Sequence, residues 1–251
     1  MPPKLYGTEH IVYIVLFFVV AAAIVLVTQF ALKTEKHKTI MIKSVAGVLL
    51  VMTLYNRISL AVWHDNAVWL LPNSYCGMSS LLLSVCVLLG KPKNKMYDFL
   101  FWLESVGGIA CVFYPYFLGQ GDSIFFSPTI SGLLHHSFGF ILCVLLVQCK
   151  WFSPSLKRWK MFPIGMCAYT VYGLFLLDVC KMPEAMQIDA PLVAGTPLKW
   201  WFVILVGSAL LFVYLFCLEK FGKRKAKKAS GAQNAERKEE KVEEAKAEKS
   251  E

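Results

Sequence analysis

Residues 10–32 read HIVYIVLFFVVAAAIVLVTQFAL, a run of 23 residues without a charged side chain. As a helix rises 1.5 Å per residue, about 20 such residues cross the roughly 30 Å hydrocarbon core of a bilayer. The run lacks a basic start and a small-residue cleavage site, and its apolar part is longer than that of a signal peptide. We therefore expect a retained membrane-spanning helix.

Six further runs downstream have the same character. Over the 251 residues, 57% are apolar and 17% charged, with a mean hydropathy of +0.53, which is too apolar for a water-soluble domain. We predict an all-α fold, namely a polytopic membrane helical bundle of about seven transmembrane helices. The expected spans are roughly 10–32, 39–63, 69–90, 97–119, 129–149, 161–180 and 198–221.

The loop charges predict the orientation of these spans. Ten basic residues follow the first, third and fifth spans, whereas the alternate loops 64–68, 120–128 and 182–197 contain no Lys or Arg. The positive-inside rule then places the N-terminus outside and the C-terminus in the cytoplasm. The expected location is an integral, multi-pass one, in a bacterial cell membrane or a eukaryotic endomembrane. The ten basic residues are Lys33, Lys36, Lys38, Lys91, Lys93, Lys95, Lys150, Lys157, Arg158 and Lys160.

The composition divides the chain into a transmembrane helical domain, 1–221, and a charged, disordered cytoplasmic tail, 222–251. From 219 onwards, the chain carries eleven basic and eight acidic residues without an apolar stripe, which is typical of a solvated tail. The net charge of +9 does not indicate nucleic-acid binding, because the remaining basic residues sit in loops between apolar runs. The eight cysteines show neither CxxC nor zinc spacing, so we expect free thiols and neither a metal nor a cofactor.

Polar side chains inside the spans mark a candidate site, because hydrocarbon penalises them. One face of the fifth span carries small and polar residues at helical spacing, and it includes His136. The neighbouring His135 shares a face with Phe138 and Leu142, so we expect it to face lipid. His136 is thus the better interior candidate.

The other polar residues fall at a similar depth. Cys76 and His136 each lie about seven residues, or roughly 10 Å, below the outer boundary of their helices. Spans two and four end near the same boundary. The predicted cluster comprises Asn56, Arg57, Asn73, Cys76, Tyr114 and His136, with Asp178 at its rim.

A Cys near a His is the minimal apparatus for nucleophilic acyl chemistry, because imidazole can take the thiol proton. Structural roles remain open for the same residues. Cys76 can be a packing residue, His136 can satisfy a hydroxyl or carbonyl, and Arg57 can extend to the outer headgroups. Glu104 is either a hydrogen-bond partner within the bundle or a protonated carboxyl.

Three segments carry a family resemblance: LPNSYCGMSSLLL (71–83), YPYFLGQGDSIFFSP (114–128) and LLHHSFGFILCVLLV (133–147). They resemble the YwaF-like integral membrane family over roughly residues 50–215. The matching residues are Leu71, Pro72 and Cys76, then Tyr116, Phe117, Gly119 and Pro128, and finally His136. The resemblance implies a helical membrane acyltransferase, in which the Cys accepts a fatty acyl group from a glycerophospholipid and the His activates it.

Two functions are therefore expected. In the first, an integral membrane lipid acyltransferase, Cys76 is the nucleophile, His136 is the general base and the substrate is a phospholipid drawn from membrane lipids. Arg57, Asn73, Tyr114 and Asn56 would bind that substrate: Arg57 would hold its phosphate, and Asn73 or Tyr114 would donate to the oxyanion. Water as acceptor would make the protein a lipase.

The alternative is a non-catalytic transporter or channel-like protein with the same cluster as a solute pathway, although paired broken helices are not apparent. A seven-span receptor or scaffold is a third possibility, and the sequence does not specify an oligomeric state.

Overall fold

The computed structural model describes residues 6–115, 123–191, 196, 197 and 199–220. Within this part the chain forms seven α-helices and no strand, and each expected span contains one helix. The helices are α1 Thr8–Leu26, α2 Glu35–Trp63, α3 Tyr75–Leu89, α4 Tyr97–Phe113, α5 Ser127–Gln148, α6 Met161–Asp178 and α7 Trp200–Lys220. The charged tail 222–251 and the motif residues Tyr116, Phe117 and Gly119 lie outside the described residues.

Five helical segments are long and apolar enough to cross a membrane: Thr8–Ala31, Glu35–Trp63, Ser127–Gln148, Leu156–Asp178 and Trp200–Lys220. The segment from α1 extends beyond it through a π-helical turn, Val27–Ala31. α1 and α7 leave most of their large apolar side chains exposed at the periphery of the bundle. Apolar surface of this extent suits contact with lipid. The all-α class and the membrane-length helices are thus confirmed.

α3 begins later than the sequence predicts. The expected span starts at residue 69, but Ala67–Leu70 forms a 3₁₀ turn and the α-helix starts at Tyr75. Pro72 disfavours a helical conformation in the residue before it, and the Ser74 side chain caps the new start by accepting a hydrogen bond from the Gly77 N–H at 3.1 Å. Cys76 therefore lies in the first turn of α3, and its expected depth of seven residues within a helix is wrong.

α5 is the central helix of the bundle. It packs against α1, α2, α3 and α4, while α6 packs against α4. Its side chains Leu142, Leu145 and Leu146 are fully buried in the core. α7 contacts the bundle through aromatic edges, with the Tyr214 ring 5.7 Å from that of Trp102 between centroids.

Glycines allow α4 and α5 to approach closely. A Cβ at Gly108 would lie 2.8 Å from the carbonyl oxygen of His136 and 3.1 Å from the Cβ of Phe140. A Cβ at Gly139 would overlap the carboxyl group of Glu104. The two helices run antiparallel, so these contacts fix which residues of α4 and α5 lie at the same level.

We expect Gly108→Ala to destabilise the protein by about 1–3 kcal/mol, because the new methyl group meets backbone that cannot rotate away. The matched control is Gly47→Ala in α2, where a Cβ meets no atom within 4 Å. There the lower entropy of the unfolded chain should stabilise the protein by up to about 1 kcal/mol. Thermal unfolding of the two variants in detergent measures the difference, and equal midpoints would contradict the packing described.

Candidate functional site

The deepest part of the site is a buried carboxyl group shared by three helices. Glu104 of α4 is fully buried, and the Ser80 hydroxyl of α3 lies 2.8 Å from its Oε1 and 2.9 Å from its Oε2. The carboxyl group lies directly against Gly139 of α5. The Ser80 hydroxyl donates a hydrogen bond to this carboxyl, so the group is partnered although water does not reach it.

Cys76 lies one helical turn away from Ser80, on the same face of α3. A Cβ at Gly107 would stand 2.6 Å from the Cys76 sulfur, so the thiol occupies the space that this glycine leaves open. The thiol also interacts electrostatically with Cys111, which lies one turn further along the same face of α4. Cys76 is partly exposed, whereas Cys111 is buried. A small reactant therefore has access to Cys76 first.

His136 completes this level of the site from α5. It is 3% exposed and lies one turn before Gly139, on the same face of the helix. Its imidazole interacts electrostatically with the Cys76 thiol and with the Glu104 carboxyl. Its Nδ1 is buried without a hydrogen-bond partner among the described residues. The imidazole thus has a ring nitrogen without a partner among the described residues, and it interacts with both a thiol and a carboxyl group.

Arg57 of α2 lies beside the first turn of α3. It is 6% exposed, and its guanidinium donates to the side-chain oxygen of Asn73 at 3.1 Å and to that of Asn56. A Cβ at Gly77, the residue after Cys76, would lie 3.6 Å from Arg57 Cζ. No carboxylate in the described part of the chain pairs with this cation, and its Nε has no partner there. Buried charges are normally paired, so the site favours an anionic ligand.

The two asparagines differ in which of their side-chain atoms already make hydrogen bonds. Asn56 also donates from Nδ2 to Ser131 Oγ at 3.1 Å and to the Pro128 carbonyl oxygen at 3.3 Å, so it ties α2 to the start of α5. The side-chain oxygen of Asn73 is occupied by Arg57, which leaves its NH₂ group as the end that can donate. Asn56 therefore positions Arg57, while Asn73 retains a donor.

Two members of the predicted cluster lie at the surface. Tyr114 directly follows the last residue of α4 and is 45% exposed. Asp178, the last residue of α6, is also exposed. The structure therefore places the buried groups of α2, α3, α4 and α5 together and leaves these two residues outside them.

The expectation that His135 faces lipid is wrong. His135 is 3% exposed, its Nδ1 lies 3.2 Å from the Ser131 carbonyl oxygen, and its ring centroid is 4.1 Å from that of His136. It also interacts electrostatically with Arg57. The prediction failed because helices cover α5 on nearly all sides, so a stripe of Phe and Leu on this helix does not mark a lipid-facing surface.

The sequence contains a signal for the residues that were left out of the predicted cluster. Ser80 shares a face of α3 with Cys76, and Cys111 shares a face of α4 with Glu104 and Gly107. The spacing identifies the faces, but it does not show which faces meet. Only the packing of α3 on α4 brings Ser80 to Glu104 and Cys111 to Cys76.

Comparison of the chain with protein-family models, curated proteins and solved structures gives no match. Within the described ranges, no group of three or more His, Cys, Asp or Glu residues is arranged to hold a metal ion. The fold and the site define a class of protein: a helical bundle with membrane-length helices whose interior combines a thiol, an imidazole, a carboxyl group and an arginine without a carboxylate partner.

We expect Ser80→Ala to destabilise the bundle by about 1–3 kcal/mol, because it removes the donor that faces both oxygens of the buried Glu104 carboxyl. Ser84→Ala in the same helix is the matched control, since the Ser84 hydroxyl bonds only to the Leu81 carbonyl of its own helix. Denaturant titration in detergent compares the free energies of unfolding. A loss for Ser80→Ala no larger than that for Ser84→Ala would show that the Glu104 contact carries little stability.

Proposed function

We propose that this chain is an integral membrane lipid acyltransferase that transfers a fatty acyl group between glycerophospholipids. Cys76 is the nucleophile that carries the acyl group, and His136 is the general base. One observation carries the proposal: a partly exposed thiol and a buried imidazole interact at the junction of α3, α4 and α5, next to a buried arginine. This combination provides a nucleophile, a proton acceptor and an anion site in one place.

In the first half-reaction, His136 takes the thiol proton of Cys76. The sulfur attacks the carbonyl carbon of the acyl ester, and a C–S bond forms as the carbonyl oxygen becomes an oxyanion. Collapse of this intermediate breaks the ester C–O bond, and the imidazolium gives its proton to the departing lysophospholipid oxygen. The product is a thioester on Cys76.

The start of α3 suits the charges that this step creates. Cys76 lies in the first helical turn, where the helix dipole and free backbone N–H groups stabilise negative charge. A thiolate formed there benefits from the same field. The NH₂ group of Asn73 is a further donor for the oxyanion, because Arg57 occupies only its side-chain oxygen.

In the second half-reaction, the hydroxyl group of a lysophospholipid replaces the departed alcohol. His136 takes the hydroxyl proton, the oxygen attacks the thioester carbon, and the C–S bond breaks to regenerate the Cys76 thiol. Water in place of the lysophospholipid would give a free fatty acid.

Arg57 supports a phospholipid as the substrate. Its partners are neutral side-chain oxygens, so its positive charge remains available to a phosphate. Guanidinium groups bind phosphate oxygens through two parallel hydrogen bonds, which orients as well as attracts the headgroup. Because Arg57 lies against Gly77, a phosphate held there would bring the nearby ester toward Cys76.

Glu104 supports the role of His136 from the side opposite Arg57. When the thiol proton moves to His136, the imidazole becomes positively charged. The Glu104 carboxyl lies within electrostatic range of the imidazole, and the Ser80 hydroxyl holds this carboxyl in place. We therefore regard Glu104 as a positioning residue that does not itself contact the substrate.

The orientation with the N-terminus outside and the C-terminus in the cytoplasm belongs to the same proposal. It is supported by the basic loop between α3 and α4 and by the absence of Lys and Arg from residues 64–68. The start of α3 and the start of α5 then lie in the outer half of the membrane. The substrate would enter from the outer leaflet.

We expect Cys76→Ala and His136→Ala each to abolish acyl exchange, because one removes the atom that carries the acyl group and the other removes the proton acceptor. The measurement uses purified full-length protein in nanodiscs, a phospholipid with a labelled acyl chain and an unlabelled lysophospholipid acceptor. In the wild type, labelled acyl groups should also be recovered on Cys76 as a hydroxylamine-sensitive thioester.

Cys86→Ala is the matched control, since it removes another partly exposed free thiol from the same helix. It should leave acyl exchange unchanged. Undiminished turnover in Cys76→Ala or His136→Ala would reject the mechanism. Ion-dependent solute flux in proteoliposomes that survives Cys76→Ala would instead favour the transporter function.

The orientation predicts opposite labelling of two engineered cysteines at exposed positions. On intact cells, a membrane-impermeant maleimide should label Ala67→Cys, which precedes α3. The same reagent should label Lys95→Cys, which precedes α4, only after the cells are permeabilised. Labelling of the parent protein provides the background from its native thiols. The reverse pattern would invert the proposed orientation.

A further inference from the structure

The Cys76 thiol faces a second thiol across the interface between α3 and α4. Cys111 lies one turn beyond Gly107 on the same face of α4, and the two thiols interact electrostatically. A Cβ at Gly107 would stand 2.6 Å from the Cys76 sulfur, so this sulfur packs closely against α4 in the turn before Cys111. Because helical side chains lean toward the N-terminus of their helix, the Cys111 side chain leans toward the same glycine. Both cysteines are free thiols.

The two cysteines differ in exposure, and this difference favours oxidation of Cys76 before Cys111. Cys76 is partly exposed, so a small oxidant can reach it, whereas Cys111 is 7% exposed and faces the interior. A buried thiol held against a reactive one acts as a resolving partner, because it attacks the oxidised sulfur faster than a thiol from solution can reach it. Cys143, the other buried cysteine among the described residues, contacts the Phe101 carbonyl oxygen instead.

We propose that Cys76 and Cys111 form a reversible disulfide, a modification site that blocks the acyl-accepting sulfur. The oxidant is a hydroperoxide. The Cys76 sulfur attacks its terminal oxygen and the O–O bond breaks, which gives a sulfenic acid on Cys76 and releases water or an alcohol. The Cys111 thiol then attacks this sulfur, the S–S bond forms, and the hydroxyl leaves as water with the Cys111 proton. The two sulfurs supply the two electrons that reduce the peroxide.

The modification itself stands on the position of the Cys76 sulfur against Gly107, one turn from Cys111, and only its effect on activity rests on the proposed function. In the disulfide form, the Cys76 sulfur has no proton to give to His136 and cannot attack an ester. A dithiol reductant restores both thiols by exchange. The expected behaviour is loss of acyl transfer under peroxide and recovery after reduction.

Purified full-length protein in nanodiscs is treated with hydrogen peroxide, and the remaining free thiols are then blocked with N-ethylmaleimide. The peptides are mapped by mass spectrometry without a reducing agent, so that disulfides stay intact. We expect one linked species that joins the peptides of Cys76 and Cys111. Cys111→Ser should abolish this species and leave Cys76 as a sulfenic acid that dimedone traps. Cys86→Ser should leave the linkage unchanged. Linkage of Cys76 to any other cysteine, or a dimedone adduct on Cys76 in the wild type with Cys111 still reduced, would overturn the proposal.

Acyl transfer measured on the same samples separates the two proposals. Linkage with full loss of turnover, reversed by dithiothreitol in the wild type, supports the blocking disulfide. Absence of the linkage, with turnover that still requires Cys76, refutes the disulfide and leaves the acyltransferase proposal intact. Linkage without any change in turnover keeps the modification site but removes Cys76 from the mechanism.

Discussion

The packing of α3, α4 and α5 depends on one buried carboxyl group. Glu104 is fully buried, and a polar group in such a position must find its partners within the protein. It obtains a hydrogen bond from Ser80 and lies against Gly139, where any larger residue would collide with it. These two contacts hold three helices together and set the level of the site residues that these helices carry, because a shift of one helix would leave the carboxyl group without its donor.

The site consists of three successive levels along the bundle. The Glu104 carboxyl lies deepest, the Cys76 thiol and the His136 imidazole lie one turn away, and the Arg57 guanidinium lies beside the start of α3. The carboxyl group and the guanidinium therefore lie at opposite ends of the site, with the nucleophile and the base between them. In a low-dielectric interior, such fixed polar groups act strongly on any charge that develops at the sulfur, and they need no rearrangement to do so.

At the start of α3, two local sequence signals, Pro72 and the Ser74 cap, override the hydropathy pattern. Hydropathy predicts a continuous span from residue 69, which would bury Cys76 at depth in a helix. Pro72 and the Ser74 cap delay the helix until Tyr75 and place the cysteine in the first turn, among free backbone N–H groups. His135 shows the opposite case. The residues that share its helix face predict contact with lipid, but the helices packed around α5 bury it.

The sequence by itself determined the helical class, the position of one helix in each expected span and the faces that carry polar residues, since these follow from hydropathy and helical period. It also placed Cys76, His136, Arg57 and the two asparagines in one candidate cluster. Only the tertiary structure decided which faces meet, that Glu104 and Cys111 face the cysteine level and that Tyr114 stays at the surface. The physical reason is that periodicity constrains a helix about its own axis, whereas contact between helices depends on where glycines permit close approach.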